Sequence, residues 1–238
     1  MADSNQAQRP LDSHEASMAH KNLASDVAGR PSDIEARSFE TITRELEEMG
    51  KHVDPAVAHV VKRVIHTTAD FSFADTLEFR PGVEVVASVT ERLAAGGVTI
   101  VTDTNMALAG ISKPALKRLG DAAVCYMADP EVAAAAKANG TTRAVASMDK
   151  AAELEGPVIF AIGNAPTALL RIRELVEAGR LDPLLVVGVP VGFVNVVEAK
   201  DEIAASGMPS ILARGRKGGS SIAAAIMNAM LYKVTRDA

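Results

Sequence analysis

From residue 31 onward, apolar positions recur with the period of an α-helix. Phe39, Ile42, Leu46 and Met49 form one stripe, and Gly50 follows as a stop. Asp54-Pro55 reads as a cap with proline in the first turn of a second helix, whose stripe is Val57, Val60, Val61 and Val64. A third predicted helix covers residues 83–95 and ends at Gly96-Gly97. The pattern then alternates. Short apolar runs at 98–102, 122–127, 158–162, 184–189 and 210–213 are predicted strands. Helical patterns at 114–119, 130–139, 142–154, 165–178 and 196–206 separate them, and a last helix covers 220–234. Strands apolar on both faces and joined by helical crossovers make a parallel sheet covered on both sides. The expected fold is therefore α/β, doubly wound, with a mainly parallel five-stranded sheet as the middle of a three-layer sandwich. Residues 31–238 are expected to form one domain. Residues 1–30 have neither apolar periodicity nor the apolar centre of a signal peptide, and are expected to be a flexible extension.

In such a sheet, ligands lie beyond the carboxyl ends of the strands. The segments there are chemically unusual. Asp103-Thr104-Asn105-Met106 follows the first strand, Gly163-Asn164-Ala165-Pro166 the third, and residues 188–193 the fourth. After the fifth comes Arg214-Gly215-Arg216-Lys217-Gly218-Gly219 and a predicted helix start. Converging backbone N–H groups, the helix dipole and basic side chains suit that last segment to an anion. Lys217 precedes the two glycines, so the order of a nucleotide-triphosphate loop is not met. A carboxylate site and glycines used for close packing are the two readings left. No dinucleotide glycine pattern follows the first strand.

Composition narrows the function classes. The chain has 238 residues and a formal net charge of −5, against the basic face of a nucleic-acid binder. No apolar run approaches the roughly 18 residues of a membrane span. The single cysteine, Cys125, excludes an intrachain disulfide and a multi-cysteine metal cluster. Its apolar neighbours read as a buried structural thiol, and a cytoplasmic location is expected. No zinc-ligand spacing or Ser-His-Asp arrangement stands out, so no cofactor or metal is expected.

Single residues leave alternatives open. His66 falls two positions past Val64, off the apolar stripe and near the helix end. A general acid and a solvated surface histidine both fit there. His14, His20, His52 and His59 read as solvated. Ser38 lies on the first stripe, four residues before Ile42, as a core serine bonded to the preceding turn or as room for a ligand. Arg143 opens a predicted helix, where a cation is unfavourable unless an anion meets it. A surface arginine is the other reading.

At these same loops the sequence resembles a known family. The segments RSFETITRE, RVIHTTADFSF, DTNMALAGI, IGNAPTAL, GVPVGFVNVVEAKD and GRKGGSSIAAAIMNAML together resemble the precorrin-8X methylmutases, including their cobalt-precorrin-8 branch. The likeness runs from about residue 34 to 232, in the family's order. It implies a flavodoxin-like fold, a homodimer, and a site shared with the dimer interface. It also implies the reaction, a [1,5]-sigmatropic methyl shift from carbon 11 to carbon 12 of the corrin ring. By the same resemblance His66 takes the place of the catalytic histidine, and Ser38 and Arg143 those of ring contacts. Ser112 and Lys113 align with a substrate-facing loop, and Asn164 with the pocket lining. Arg216 joins Arg143 in a rim suited to a polycarboxylate substrate. A corrin carrier without chemistry is the alternative function.

Overall fold

The computed structural model describes residues 31–236, so the expected extension at 1–30 lies outside the described residues. The chain divides into two compact units, Met1–Thr41 and Ile42–Ala238. Of the first, the described part is the opening of helix α1 (Pro31–Glu48).

The second unit continues α1 and adds α2 (Ala58–Thr68), α3 (Phe73–Thr76), β1 (Leu77–Arg80), α4 (Glu84–Ala94), β2 (Thr99–Thr102), α5 (Asn105–Gly110) and α6 (Lys113–Leu119). Then come β3 (Ala122–Val124), α7 (Pro130–Ala138), α8 (Arg143–Ala151), β4 (Val158–Ile162), α9 (Pro166–Glu177) and β5 (Leu185–Gly188). It closes with α10 (Val196–Ala205), β6 (Ser210–Ala213) and α11 (Ser220–Thr235). No described helix is long and apolar enough to cross a membrane.

The sheet has six strands in the order β1-β6-β5-β4-β2-β3, not the five expected. The added strand, β1, is antiparallel to β6, with Leu77 opposite Ala213 and Arg80 opposite Ser210. All other pairs are parallel. Alternate residues of a strand face opposite sides. Val101, Phe160, Ile162, Val186 and Leu212 accordingly cluster with Met148, Leu169 and Ile172 of α8 and α9. Ile100, Ile159, Ala161, Val187 and Ile211, which alternate with them, are equally buried. Each fully buried side chain of this size contributes roughly 1.5–3 kcal/mol.

Helix α11 is the structural axis of the unit. Eleven of its residues are buried, and it packs against α2, α4, α5 and α6 as well as β4 and β5. Its alanines permit such close approach on several sides. A Cβ on Gly110 would meet the Cβ of Ala224 at 2.8 Å.

Local chemistry moved some boundaries. Asp54 accepts from the N–H of Ala56 at 2.9 Å, which closes a turn before α2 instead of capping it. Met49 lies beyond the helix and is 52% exposed, so it is not part of the buried stripe. The strand expected over 122–127 stops at Val124, and Cys125 just past it is half-buried, not buried.

Candidate active site

At the carboxyl edge the order of the sheet switches between β2 and β4, which run side by side while β3 and β5 lie on opposite sides of the pair, the place where such sheets bind ligands. Asp103, directly after β2, is fully buried at this switch point. Its carboxylate accepts the backbone N–H groups of Gly163 at 2.9 Å, Asn164 at 2.7 Å and Ala165 at 2.6 Å. Burial pushes the Asp103 carboxyl above its usual range, against the opposing pull of those three donors. One buried carboxylate thus fixes the loop that carries Asn164. The neighbouring Thr104 caps α5 through the N–H of Ala107 at 3.0 Å, and its hydroxyl lies 2.8 Å from that of Ser220, the first residue of α11. A Cβ on Gly163 would come within 2.6 Å of the Ser220 Cα, so the end of β4 and the start of α11 touch backbone to backbone.

The basic loop 214–219, after β6, packs on the segment after β5. Gly218 sits where an added Cβ would meet the Val189 carbonyl at 2.1 Å, and the N–H of Gly219 donates to that same oxygen at 2.8 Å. The N–H of Gly192 donates to the Arg216 carbonyl at 3.2 Å. From below, Lys200 of α10, only 2% exposed, donates to the carbonyls of Gly215 at 2.7 Å and Lys217 at 2.9 Å. Burial lowers its ammonium to about 8.

The three cations of this loop differ in their partners. Arg214 is held by Glu78 of β1 at 2.6 Å. Lys217 is held by Asp70 at 2.6 Å and by the Ser72 hydroxyl at 2.9 Å. The Lys217 ammonium, and hydrogen bonds from Ser72 to the carboxylate, bring Asp70 down to about 2. Arg216 stacks 5.5 Å from the centre of the Phe193 ring and, among the described residues, pairs with no carboxylate. Around it the loop after β5 exposes apolar side chains: Val191 is 47%, Phe193 83% and Val194 74% exposed.

The residues singled out from sequence fall into three groups. Asn164 and Arg216 stand on the carboxyl edge, both exposed. Arg143 adjoins it: the Thr142 hydroxyl caps α8 and lies 3.4 Å from that of Thr167 in the first turn of α9. Arg143 is exposed and, among the described residues, forms no ion pair. His66, Ser112 and Lys113 are carried by elements along α11. His66 is exposed in the last turn of α2, four residues before the Asp70 that grips Lys217. The N–H of Ser112 donates to Asn228 of α11 at 2.8 Å, while its hydroxyl caps α6 at the N–H of Ala115, 3.4 Å. Lys113 follows, exposed. Ser38 stands half-buried in the first unit. Asp103 stands out in the sequence only as part of the segment after the first strand, with no role of its own, and Lys200 does not stand out there. For Lys200 a signal existed, since it shares the buried stripe of α10 with Val196, Ala199 and Ile203.

The family model described as precorrin-8X methylmutase matches residues 33–233. This chain belongs to the precorrin-8X methylmutase family. Among its methylmutase relatives, the cobalt-precorrin-8 methylmutase of Salmonella typhimurium is 44% identical, across 85% of this chain and 95% of that protein. The precorrin-8X methylmutase of Pseudomonas aeruginosa is 38% identical, across 83% and 93%. The precorrin-8X methylmutase structure from Thermus thermophilus superposes with a TM-score of 0.76 at 35% identity, covering 86% of this chain and 98% of that one.

Proposed function

We propose that this protein is the isomerase that moves a methyl group from carbon 11 to carbon 12 of the corrin ring in cobalamin biosynthesis. Its substrate is precorrin-8X or cobalt-precorrin-8, and its product is hydrogenobyrinate or the cobalt analogue, cobyrinate. The bond broken and the bond formed belong to one molecule, so the step needs no redox partner. What the protein contributes is a held ring and a proton. His66 donates that proton to a ring nitrogen beside the migrating methyl, draws electron density from the acceptor carbon, and recovers the proton afterwards. Such help accelerates a reaction by roughly 10² to 10⁴.

The observation that carries this reading is the grip of Asp70 and Ser72 on Lys217. It ties the segment just after His66 to the Gly-rich basic loop, which supports reading the two as parts of one site. Arg216 and Arg143, each without a carboxylate partner among the described residues, suit the side-chain carboxylates of the ring. Ser38, Ser112, Lys113 and Asn164 complete the proposed contacts. The five parallel strands run β3-β2-β4-β5-β6, the order of flavodoxin-like sheets, which supports that finer description of the fold. A homodimer and a cytoplasmic location belong to the same proposal. Exposed Phe193 and Val194 support a covered surface at this rim.

The test is incubation with precorrin-8X, followed by absorbance and by analysis of the released corrinoid. Isomerised product after release is expected. A carrier would shift the spectrum of bound ligand and release it unchanged, and that result would overturn the assignment.

A further inference from the structure

We infer that Lys200 is the positioning residue for the 214–219 loop: its ammonium turns two carbonyls of the loop inward and so presents the N–H groups of Arg216 and Gly218, with the Arg216 guanidinium, to a carboxylate of the substrate. The inference rests on the reading of this loop as a substrate contact.

A lysine is out of place where Lys200 sits. The buried stripe of α10 is otherwise Val196, Ala199 and Ile203, and an ammonium sealed beneath a loop is costly unless its hydrogen bonds are made. Two of them are, to the carbonyls of Gly215 at 2.7 Å and Lys217 at 2.9 Å.

The consequence follows from the planarity of the peptide bond. In a trans peptide, the C=O of one residue and the N–H of the next point in opposite directions. With the Gly215 and Lys217 carbonyls drawn toward Lys200, the N–H groups of Arg216 and Gly218 face away from it. The intervening carbonyl, of Arg216, is occupied by the N–H of Gly192. Among the described residues neither outward N–H finds a backbone acceptor, whereas the next one, of Gly219, does. Two free N–H donors beside an arginine without a carboxylate partner form a concavity for an anion. A planar carboxylate, accepting from both the backbone and the guanidinium, matches it.

The experiment uses the full-length chain with Lys200→Met, which keeps length without donors, and Lys200→Gln, which keeps an NH₂ group on a shorter arm. Amide hydrogen exchange of residues 214–219 reports the loop, while KM, kcat and hydrogenobyrinate affinity report the site. Lys200→Met should speed exchange in the loop and raise KM and the product Kd by about tenfold to a hundredfold, with kcat changed less than about threefold. Lys200→Gln should fall between it and wild type, and it carries the test alone if Lys200→Met does not fold. In an Arg216→Ala background the Lys200→Met penalty should shrink to less than about twofold, because both changes disable one subsite.

Unchanged loop exchange in both variants would overturn the inference whatever the enzyme does. A loosened loop with unchanged KM and product affinity would overturn the substrate role and leave the methylmutase assignment standing. Full additivity with Arg216→Ala would reduce Lys200 to a stabilising contact and likewise overturn it. A wild-type chain that binds no hydrogenobyrinate and yields no isomerised product would instead sink the functional reading, and with it the substrate role of Lys200.

Discussion

Replacing Asp103 by asparagine tests whether one buried carboxylate organises the switch point between β2 and β4. The native side chain accepts three backbone N–H groups, at 2.9, 2.7 and 2.6 Å. An amide has one acceptor oxygen. In its best orientation that oxygen stays with Asn164 and Ala165, which both use the same carboxylate oxygen, and the NH₂ group turns toward the N–H of Gly163. One charge-assisted bond, worth about 1.5–3 kcal/mol, is then lost, and two others fall to the roughly 1 kcal/mol of neutral bonds. Relief from burying a charge, the same effect that raises this carboxyl's pKa, offsets part of the loss. The net is a destabilisation of about 2–4 kcal/mol, which for a chain of this size lowers Tm by roughly 5–15 °C. Thermal unfolding at neutral pH, followed by circular dichroism, measures it, and hydrogen exchange at residues 163–165 locates it. A Tm within about 2 °C of wild type, with unchanged exchange at those amides, would refute the argument, since a loss near 2 kcal/mol already requires more.

Four further outcomes are expected. His66→Ala and His66→Asn should each slow single turnover by about 10² to 10⁴ with product affinity little changed; near-normal rates in both would remove the acid role. Arg143→Ala should weaken hydrogenobyrinate binding by about tenfold to a hundredfold while Tm holds, and unchanged affinity would make Arg143 an ordinary surface residue. Gly218→Ala forces a Cβ to within 2.1 Å of the Val189 carbonyl, so the loop must shift, at about 1–3 kcal/mol; wild-type Tm together with wild-type product affinity would contradict this. Asp70 is held down to about 2 by Lys217 and Ser72. A carboxyl depressed in the folded state stabilises the protein above its unfolded pKa, and that stabilisation is lost as pH falls toward the folded one. The stability gap between wild type and Lys217→Met, measured by urea titration, should therefore be full above pH 4 and close as pH approaches 2.

How legible the molecule is in its sequence depends on whether a segment forms a run of mostly apolar residues, and not on its burial, since β3 stands out although Ala122 is exposed. The five parallel strands are continuous apolar runs between helical crossovers, and each was marked. The β1 strand was not, because Leu77-Glu78-Phe79-Arg80 alternates over only four residues, and its partner β6 is far away in sequence. The six-residue α5 is too short for a period to show; its signal is the Thr104 cap. At the site, the loops stood out by composition, but the ties between them could not. Asp103 finds its donors 60 to 62 residues later, and Lys217 finds Asp70 across 147 positions. A carboxylate next to a buried strand and a lysine on a buried stripe are the kinds of mismatch that mark such ties in advance.

The pairing of early with late segments has a bearing on how the chain is made. Leu77 of β1 waits for Ala213, and α2 waits for α11; Glu78 and Arg214 are separated by 136 residues. At roughly 5–20 residues per second of translation, that interval lasts on the order of 7–27 s. Throughout it the helix bearing His66 has the short α3 beside it but not α11, its main packing partner, and the Gly-rich loop does not yet exist. A product cut short before α11 therefore carries His66, the proposed acid, on a helix that lacks its main packing partner. Synthesis of residues 210–235 is what brings these early and late segments together.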